Sequence, residues 1–219
     1  MEKHFISQLE TKPIQFVQTH FGQDWLYQEA FKEQLKAVQR VSDNLLNIEI
    51  LSGIHSPVYT LGKSIKNIPS SDSSIPFVST DRGGQLMYHG SGQLTLYPIF
   101  NLSSFFKGPR DYSKFLFDTC ILYFKKQHQR ELRCKENGLW FEEKKVGFLG
   151  LRIKEGVVYH GLSLNYGVDL KAFLEHSPCD IAGDRAGNLF EGQSLSAKFF
   201  KEEASRLSGL ILAGLRERL

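Results

Sequence analysis

The segment Arg82, Gly83, Gly84, Gln85, Leu86, Met87, Tyr88, His89, Gly90, Ser91, Gly92, Gln93 sets two pairs of glycines around one arginine and one histidine. Lacking Cβ atoms, such a backbone turns sharply and comes close to a neighbouring object with its N–H and C=O groups facing it. Taken alone, the glycine spacing suits a tight hairpin and a ligand loop equally, because short glycine patterns recur by chance.

At 219 residues, with 41% hydrophobic and 23% charged residues, the chain has the size and composition of one globular domain, residues 1–219, with a sizeable core. Glu2, Lys3 and His4 are not followed by an apolar stretch, and patches such as residues 210–215 are far too short to span a bilayer. The expectation is a soluble, cytoplasmic protein without a membrane partner. Cys120, Cys134 and Cys179 are an odd number at spacings of 14 and 45, fitting neither a disulfide framework nor a zinc knuckle. A reducing compartment and no metal follow. The net charge of +3, spread over scattered lysines, argues against nucleic acid while tolerating an acidic protein partner.

Residues 25–40 read as an amphipathic helix, with Leu26, Ala30, Phe31, Leu35 and Val38 returning to one side. Residues 47–51, 58–61 and 77–79 read as short strands, and residues 69–74 as a serine-rich loop. Leu94 and Leu96 alternate with polar neighbours as in a half-buried strand, and Pro98 argues for an edge or a bulge there. Asp111 is placed to cap a helix running to about His128. Residues 139–142, 145–153 and 157–165, separated by turn signals, form an antiparallel meander; a short helix near 170–174 and a final one over 195–215 follow. Strands in clusters with helices before, between and after them give an α+β fold, not repeating βαβ units.

Cys179 lies between Pro178 and Gly183 in a loop, a better setting for a nucleophile than the apolar helix around Cys120 or the strand carrying Cys134. One cysteine has no mechanism without a base. Among the histidines, His89, His160 and His176 lie near other site signals, whereas His4, His20, His55 and His128 do not. Lys145 offers another solution. It begins an otherwise apolar strand, where desolvation lowers an ammonium's pKa, and a lysine beside a thiol favours thiolate when charged and takes a proton when neutral. An exposed strand-end lysine and a half-buried polar His160 are the plain structural alternatives.

Taken together, these segments closely resemble the lipoyl(octanoyl) transferases, relatives of the biotin and lipoate protein ligases. The resemblance is carried, in order, by Pro57, Val58, Tyr59, Thr60, Leu61, Gly62; by Arg82, Gly83, Gly84 and Tyr88, His89, Gly90, Gly92, Gln93 to Tyr97; and by Gly138 to Trp140. Lys145, Gly150, Leu151, Arg152, then His160, Gly161, Leu164, Asn165, Asp169, Leu170, Phe173, and finally Pro178, Cys179, Ala182, Gly183 complete it. It covers the chain from about residue 25 onward.

The resemblance implies a single catalytic domain with a mixed, largely antiparallel sheet flanked by helices. It further implies transfer of an octanoyl group from octanoyl acyl carrier protein to the lysine of lipoyl domains, those of 2-oxo-acid dehydrogenase complexes and the glycine cleavage carrier protein, without a cofactor. Cys179 would carry the acyl group as a thioester, and Lys145 would lower its pKa and serve as acid and base. Arg82, Gly83, Gly84, Gln85, Leu86, Met87, Tyr88 and His89 would line the acyl site together with Phe148, Leu149, Gly150 and with Gly161, Leu162, Ser163. Gly147 and Gly150 would leave room for the chain, each buried methylene contributing about 0.8 kcal/mol.

The sequence departs from the family at Met87, Ser91 and Asp180, where threonine, proline and glycine are usual, and at Ile54 and Ser56. Asp180 matters most, since a carboxylate beside the thiol raises its pKa. Two other functions compete on the same residues. An ATP-dependent lipoate or biotin ligase would use the lysine and glycine loop without the cysteine, and a catalytically weakened protein would only bind lipoyl domains.

Overall fold

A computed structural model describes residues 15–66, 73–176 and 185–218. Cys179, with Pro178, Asp180, Ala182 and Gly183, lies outside the described residues, as does most of the serine-rich loop.

Ten strands and four α-helices are described: β1 (Gln15–His20), α1 (Tyr27–Asp43), β2 (Asn47–Gly53), β3 (Val58–Leu61), β4 (Phe77–Ser79), β5 (Leu86–His89), β6 (Gln93–Asn101), α2 (Pro109–His128), β7 (Leu132–Lys135), β8 (Gly138–Phe141), β9 (Lys144–Lys154), β10 (Val157–Asn165), α3 (Lys171–His176) and α4 (Ala197–Arg216). Seven strands form one sheet in the order β1-β2-β6-β10-β9-β8-β7, and three form a second in the order β4-β3-β5. Only β1 with β2 and β3 with β4 run parallel. The α+β class and the mixed, largely antiparallel sheet are as expected.

Side-chain alternation sorts the large sheet into two faces. Ile48, Ile50, Leu94, Leu96 and Phe100 join Leu116, Phe117, Leu207 and Ile211 of α2 and α4 in the main core. Leu51, Tyr97, Ile99 and Tyr159 point the other way, onto Ala30, Ala37, Val38 and Val41 of α1. Each such fully buried aliphatic or aromatic side chain contributes about 1.5–3 kcal/mol. Under the small sheet, Tyr59, Leu86 and Tyr88 pack on Phe148 and Phe173.

The glycine run is neither a hairpin nor a free loop. β5 pairs with β3 in the small sheet while β6 enters the large one, so residues 90–92 form the corner between them. Gly92 (φ +82°) is indispensable there: a Cβ would stand 2.2 Å from the Gly167 carbonyl oxygen.

Two local expectations need correction. Asp111 does not cap α2. The helix begins at Pro109 after Gly108, and Asp111 in its first turn accepts a hydrogen bond from the Lys107 backbone N–H (3.2 Å). Pro98 is not on an edge strand either, because β6 runs between β2 and β10. The missing N–H is tolerated because the β6–β10 ladder is interrupted opposite it, between the Val158–Phe100 and Leu162–Leu96 pairs.

Candidate active site

The interruption opposite Pro98 creates the first component of the site. His160, within it, adopts a left-handed conformation (φ +58°), uncommon for a residue other than glycine and worth a physical reason. Here the reason is placement. The twist brings the ring beside Phe31 (5.5 Å) and Tyr159 (4.9 Å), and the His160 N–H, with no β6 partner, donates to Gln34 Oε1 at 2.9 Å. His160 Nε2 donates to Asp81 Oδ1 (2.8 Å), and the Tyr159 hydroxyl donates to Oδ2 of the same carboxylate. Burial raises the Asp81 pKa, but these hydrogen bonds and the charges of His160 and Arg152 outweigh it and bring it down to about 2. Burial also lowers the His160 pKa, against the opposing pull of Asp81. His160 Nδ1 is left buried without a hydrogen-bond partner among the described residues.

Two further histidines stand beside it. His55 is fully buried, donating from Nδ1 to the Trp25 carbonyl (2.9 Å) and accepting at Nε2 from the Tyr97 hydroxyl (2.6 Å). Burial lowers its pKa to about 4, so the ring is neutral at pH 7. His89 meets His55 edge-on at 5.4 Å and stacks on Tyr27 at 5.6 Å. Burial, then the neighbouring His55, hold its pKa well below the ordinary imidazole range.

His89, His160, Tyr27 and Tyr97 line a narrow cavity of about 30 Å³, room for one or two water molecules, with His55 and Asp81 behind them. Of the residues assigned to the acyl site from sequence, Arg82, Met87, His89, Phe148, Leu149, Gly150, Gly161, Leu162 and Ser163 all line it. Gly83, Gly84, Gln85, Leu86 and Tyr88 are not among its lining residues; Leu86 and Tyr88 pack instead in the core beneath the small sheet. Gly147 does not open the slot. Its Cβ position is filled by Leu139 (2.8 Å) and Leu164 (3.1 Å), so it serves core packing. Ser163, beside Phe148 on one side and Thr95 on the other, has a buried Oγ without a partner among the described residues.

Arg82 shapes the wall. Its guanidinium donates to the Thr60 carbonyl (2.7 Å) and Oγ1 (2.9 Å), to the Gln85 carbonyl (2.7 Å) and to the Gly83 carbonyl (2.9 Å), fastening the glycine loop onto β3.

Lys145 reaches the same side of β9 as Phe148 through a second irregularity. In a regular strand residues three apart point to opposite faces. Trp140 pairs with Lys145 but Leu139 with Gly147, so Val146 is an extra, bulged residue and the alternation slips by one. The buried ammonium consequently lies 5.4 Å from the Phe148 ring centre and donates to the Glu136 carbonyl at 3.3 Å. Gly138 opposite leaves room for the lysine stem, since a Cβ there would stand 2.3 Å from Lys145 Cε. The Gly187 N–H donates to the Lys145 carbonyl (3.0 Å), drawing residues 185–187 alongside.

His55, Asp81 and Tyr27 are not marked by the sequence, Tyr97 only as the end of a motif, and His176, which is marked, packs on Tyr59 and Phe77 away from the cavity lining. Cys120 is core, with burial raising its thiol pKa to about 12, and Cys134 is exposed on β7. Among the described residues no group of three or more His, Cys, Asp or Glu is placed to hold a metal ion, and no helix is long and apolar enough to cross a membrane.

The glycine corner, the bulged lysine strand and the twisted histidine strand thus meet around one cavity of a mixed sheet. Residues 25–205 match the family described as the lipoyl protein ligase A/B catalytic domain, and the chain belongs to that family. It is 42% identical over 139 residues to the octanoyltransferase of Alkalilimnicola ehrlichii, a match spanning 63% of this chain and 65% of that protein. With the octanoyltransferase of Magnetococcus marinus it shares 36% identity over 162 residues, 73% of this chain and 76% of the relative. The crystal structure of P. falciparum LipL1 in complex with lipoate superposes with a TM-score of 0.70 at 10% identity, covering 90% of this chain and 63% of that one. The family and fold expected from the motifs are borne out.

Proposed function

We propose that this chain is a cytoplasmic octanoyltransferase, moving an octanoyl group from octanoyl acyl carrier protein to the lysine of lipoyl domains, those of 2-oxo-acid dehydrogenase complexes and the glycine cleavage carrier protein. The observation that carries the proposal is the convergence of residues from the glycine loop, β9 and β10 on one cavity beside a buried lysine, in a chain whose curated relatives are octanoyltransferases.

In this reading the Cys179 thiolate attacks the carbonyl of the donor thioester. A C–S bond to Cys179 forms, the C–S bond to the carrier breaks, and the carrier leaves as a thiol with the proton taken from Cys179 by way of Lys145. The acceptor amine then attacks the acyl-cysteine carbonyl. A C–N bond forms, the C–S bond breaks, and the proton lost by the amine returns through Lys145 to Cys179. Thioester exchange is nearly balanced and the final amide is the more stable product, so the cycle requires no ATP. The use of the Arg82 guanidinium within the loop itself supports this over an adenylate-forming ligase, which needs cations directed at phosphate. In this reading the acyl chain takes the narrow cavity lined by Met87 and Leu149, where the adaptable methionine side chain gives way.

Incubation with octanoyl acyl carrier protein, followed by intact-mass measurement, is expected to show one octanoyl adduct that Cys179→Ala loses and added ATP does not increase. An adduct retained in Cys179→Ala, or acyl transfer that requires ATP and releases pyrophosphate, would overturn the proposal.

A further inference from the structure

The hydrogen bonds around His89 determine which of its ring nitrogens carries the proton. Asn165 Nδ2 is 3.1 Å from the Gly187 carbonyl oxygen, an acceptor only, so that end of the amide is the NH₂ and Oδ1 faces Gln93. Gln93 Nε2 donates to Oδ1 (2.9 Å) and to the Tyr88 carbonyl (3.2 Å), again an acceptor only. Gln93 Oε1 therefore faces His89 Nδ1, 2.7 Å away. An amide oxygen cannot donate, so Nδ1 bears the hydrogen and the lone pair is on Nε2. Backbone carbonyls anchor the chain of bonds, leaving neither amide free to flip. Gln93, Asn165 and His89 are all buried, so the chain is not competed for by solvent.

We propose that Gln93 and Asn165 are positioning residues that hold His89 as its Nδ1–H tautomer, leaving Nε2 as a hydrogen-bond acceptor for an N–H or S–H donor of the reacting groups in the cavity. A residue so held cannot stabilise an oxyanion, because a neutral ring with its hydrogen on Nδ1 has none to give from Nε2. Its partner is the amine of the acceptor lysine or the departing thiol, an assignment resting on the acyl-transfer reading above. The same chain ends on Gly187, whose N–H holds the Lys145 carbonyl, so one network orders both the histidine and the strand carrying the lysine.

The tautomer is read directly, and without activity, from the ¹⁵N shifts of the His89 ring in the whole protein. Between pH 6.5 and 8 a pyrrole-like Nδ1 and a pyridine-like Nε2 are expected, and the reverse pattern overturns the proposal. Gln93→Leu is expected to release the Nε2–H form and to lower kcat for octanoyl transfer by about 10-fold or more with KM for the donor changed less than about 2-fold. An unchanged tautomer and kcat in that variant would also overturn it. Should Gln93→Leu fail to fold, the ring shifts of the wild-type protein decide the proposal alone, since they need no variant. Absence of octanoyl transfer by the wild-type protein would defeat the enzymatic reading while leaving the tautomer result standing.

Discussion

Two buried polar clusters lie on opposite faces of the large sheet, and they are built on different terms. On the side of α2 and α4, Glu203 is fully buried, with Oε1 accepting from Tyr123 (2.7 Å) and Arg206 (3.5 Å) and Oε2 from His128 (2.9 Å) and Tyr166 (2.9 Å). Both oxygens are satisfied, and none of these residues lines the candidate active-site cavity. On the side of α1, His89 and His160 line a cavity, His55 and Asp81 stand behind them, and His160 Nδ1 and the nearby Ser163 Oγ have no partner among the described residues. A satisfied network fastens helices to a sheet; one that is unsatisfied among the described residues, beside a left-handed residue and a broken ladder, leaves hydrogen-bonding capacity at a cavity.

The largest expected effect breaks the first cluster. Glu203→Ala leaves two tyrosine hydroxyls, a histidine and an arginine without their common acceptor. Loss of one partner of such a buried charged network costs about 3–5 kcal/mol. Urea denaturation is expected to show that loss, whereas octanoyl transfer per folded molecule stays near wild type. A variant of normal stability but low activity would erase the distinction between the clusters.

Acid tests the second cluster. His55 titrates at about 4 in the folded protein against an ordinary value of about 6.5. Between those values the unfolded chain binds more protons, so stability is fully present above pH 6.5 and is lost as pH falls toward 4. That single group accounts for about 3 kcal/mol, and the lowered pKa values of His89 and His160 act in the same direction. Asp81, held down to about 2, adds a further loss only below the ordinary carboxylate range. Denaturation midpoints measured from pH 7.5 to 4.5 should decline through this window, and His55→Gln should flatten the decline. A pH-independent midpoint would mean that the histidines are solvated.

Regular elements were legible in the sequence because their cause is local. The helical periodicity of α1 and the turn signals at residues 136–138 and 154–156 mark their elements within a few positions, but Leu26 and Leu35, expected on the apolar stripe of α1, are exposed, and its buried face runs through Tyr27, Ala30, Gln34, Ala37, Val38 and Val41. β1 was not anticipated: its Val17 is exposed and it is strand mainly because β2 pairs with it. The candidate site was legible where motif and location coincide, at Arg82, His89, Gly150 and Ser163, which line one cavity. It was hidden where placement depends on a distant partner. His55 acquires its setting from Tyr97, 42 residues away. Lys145 shares a face with Phe148 only because β8 forces a bulge at Val146, and neither that slip nor the left-handed twist at His160 is encoded in a residue type that announces it.

The smallest expected effect sharpens the comparison most, because it has the opposite sign from an ordinary buried substitution. Removing a buried hydroxyl normally loses a hydrogen bond, but Ser163 Oγ makes none with the described residues. Its burial is a desolvation cost without return, and Ser163→Ala removes only that hydroxyl. Relief of an unsatisfied buried polar group is expected to stabilise the free protein by up to about 1 kcal/mol. The second arm is chain-length preference. An all-apolar wall at this position favours the hydrocarbon, so kcat/KM for octanoyl transfer is expected to rise or hold while discrimination against shorter acyl donors sharpens. A destabilised variant with unchanged chain preference would show that the Ser163 hydroxyl belongs to the framework, as Glu203 does, and not to the cavity's reserve.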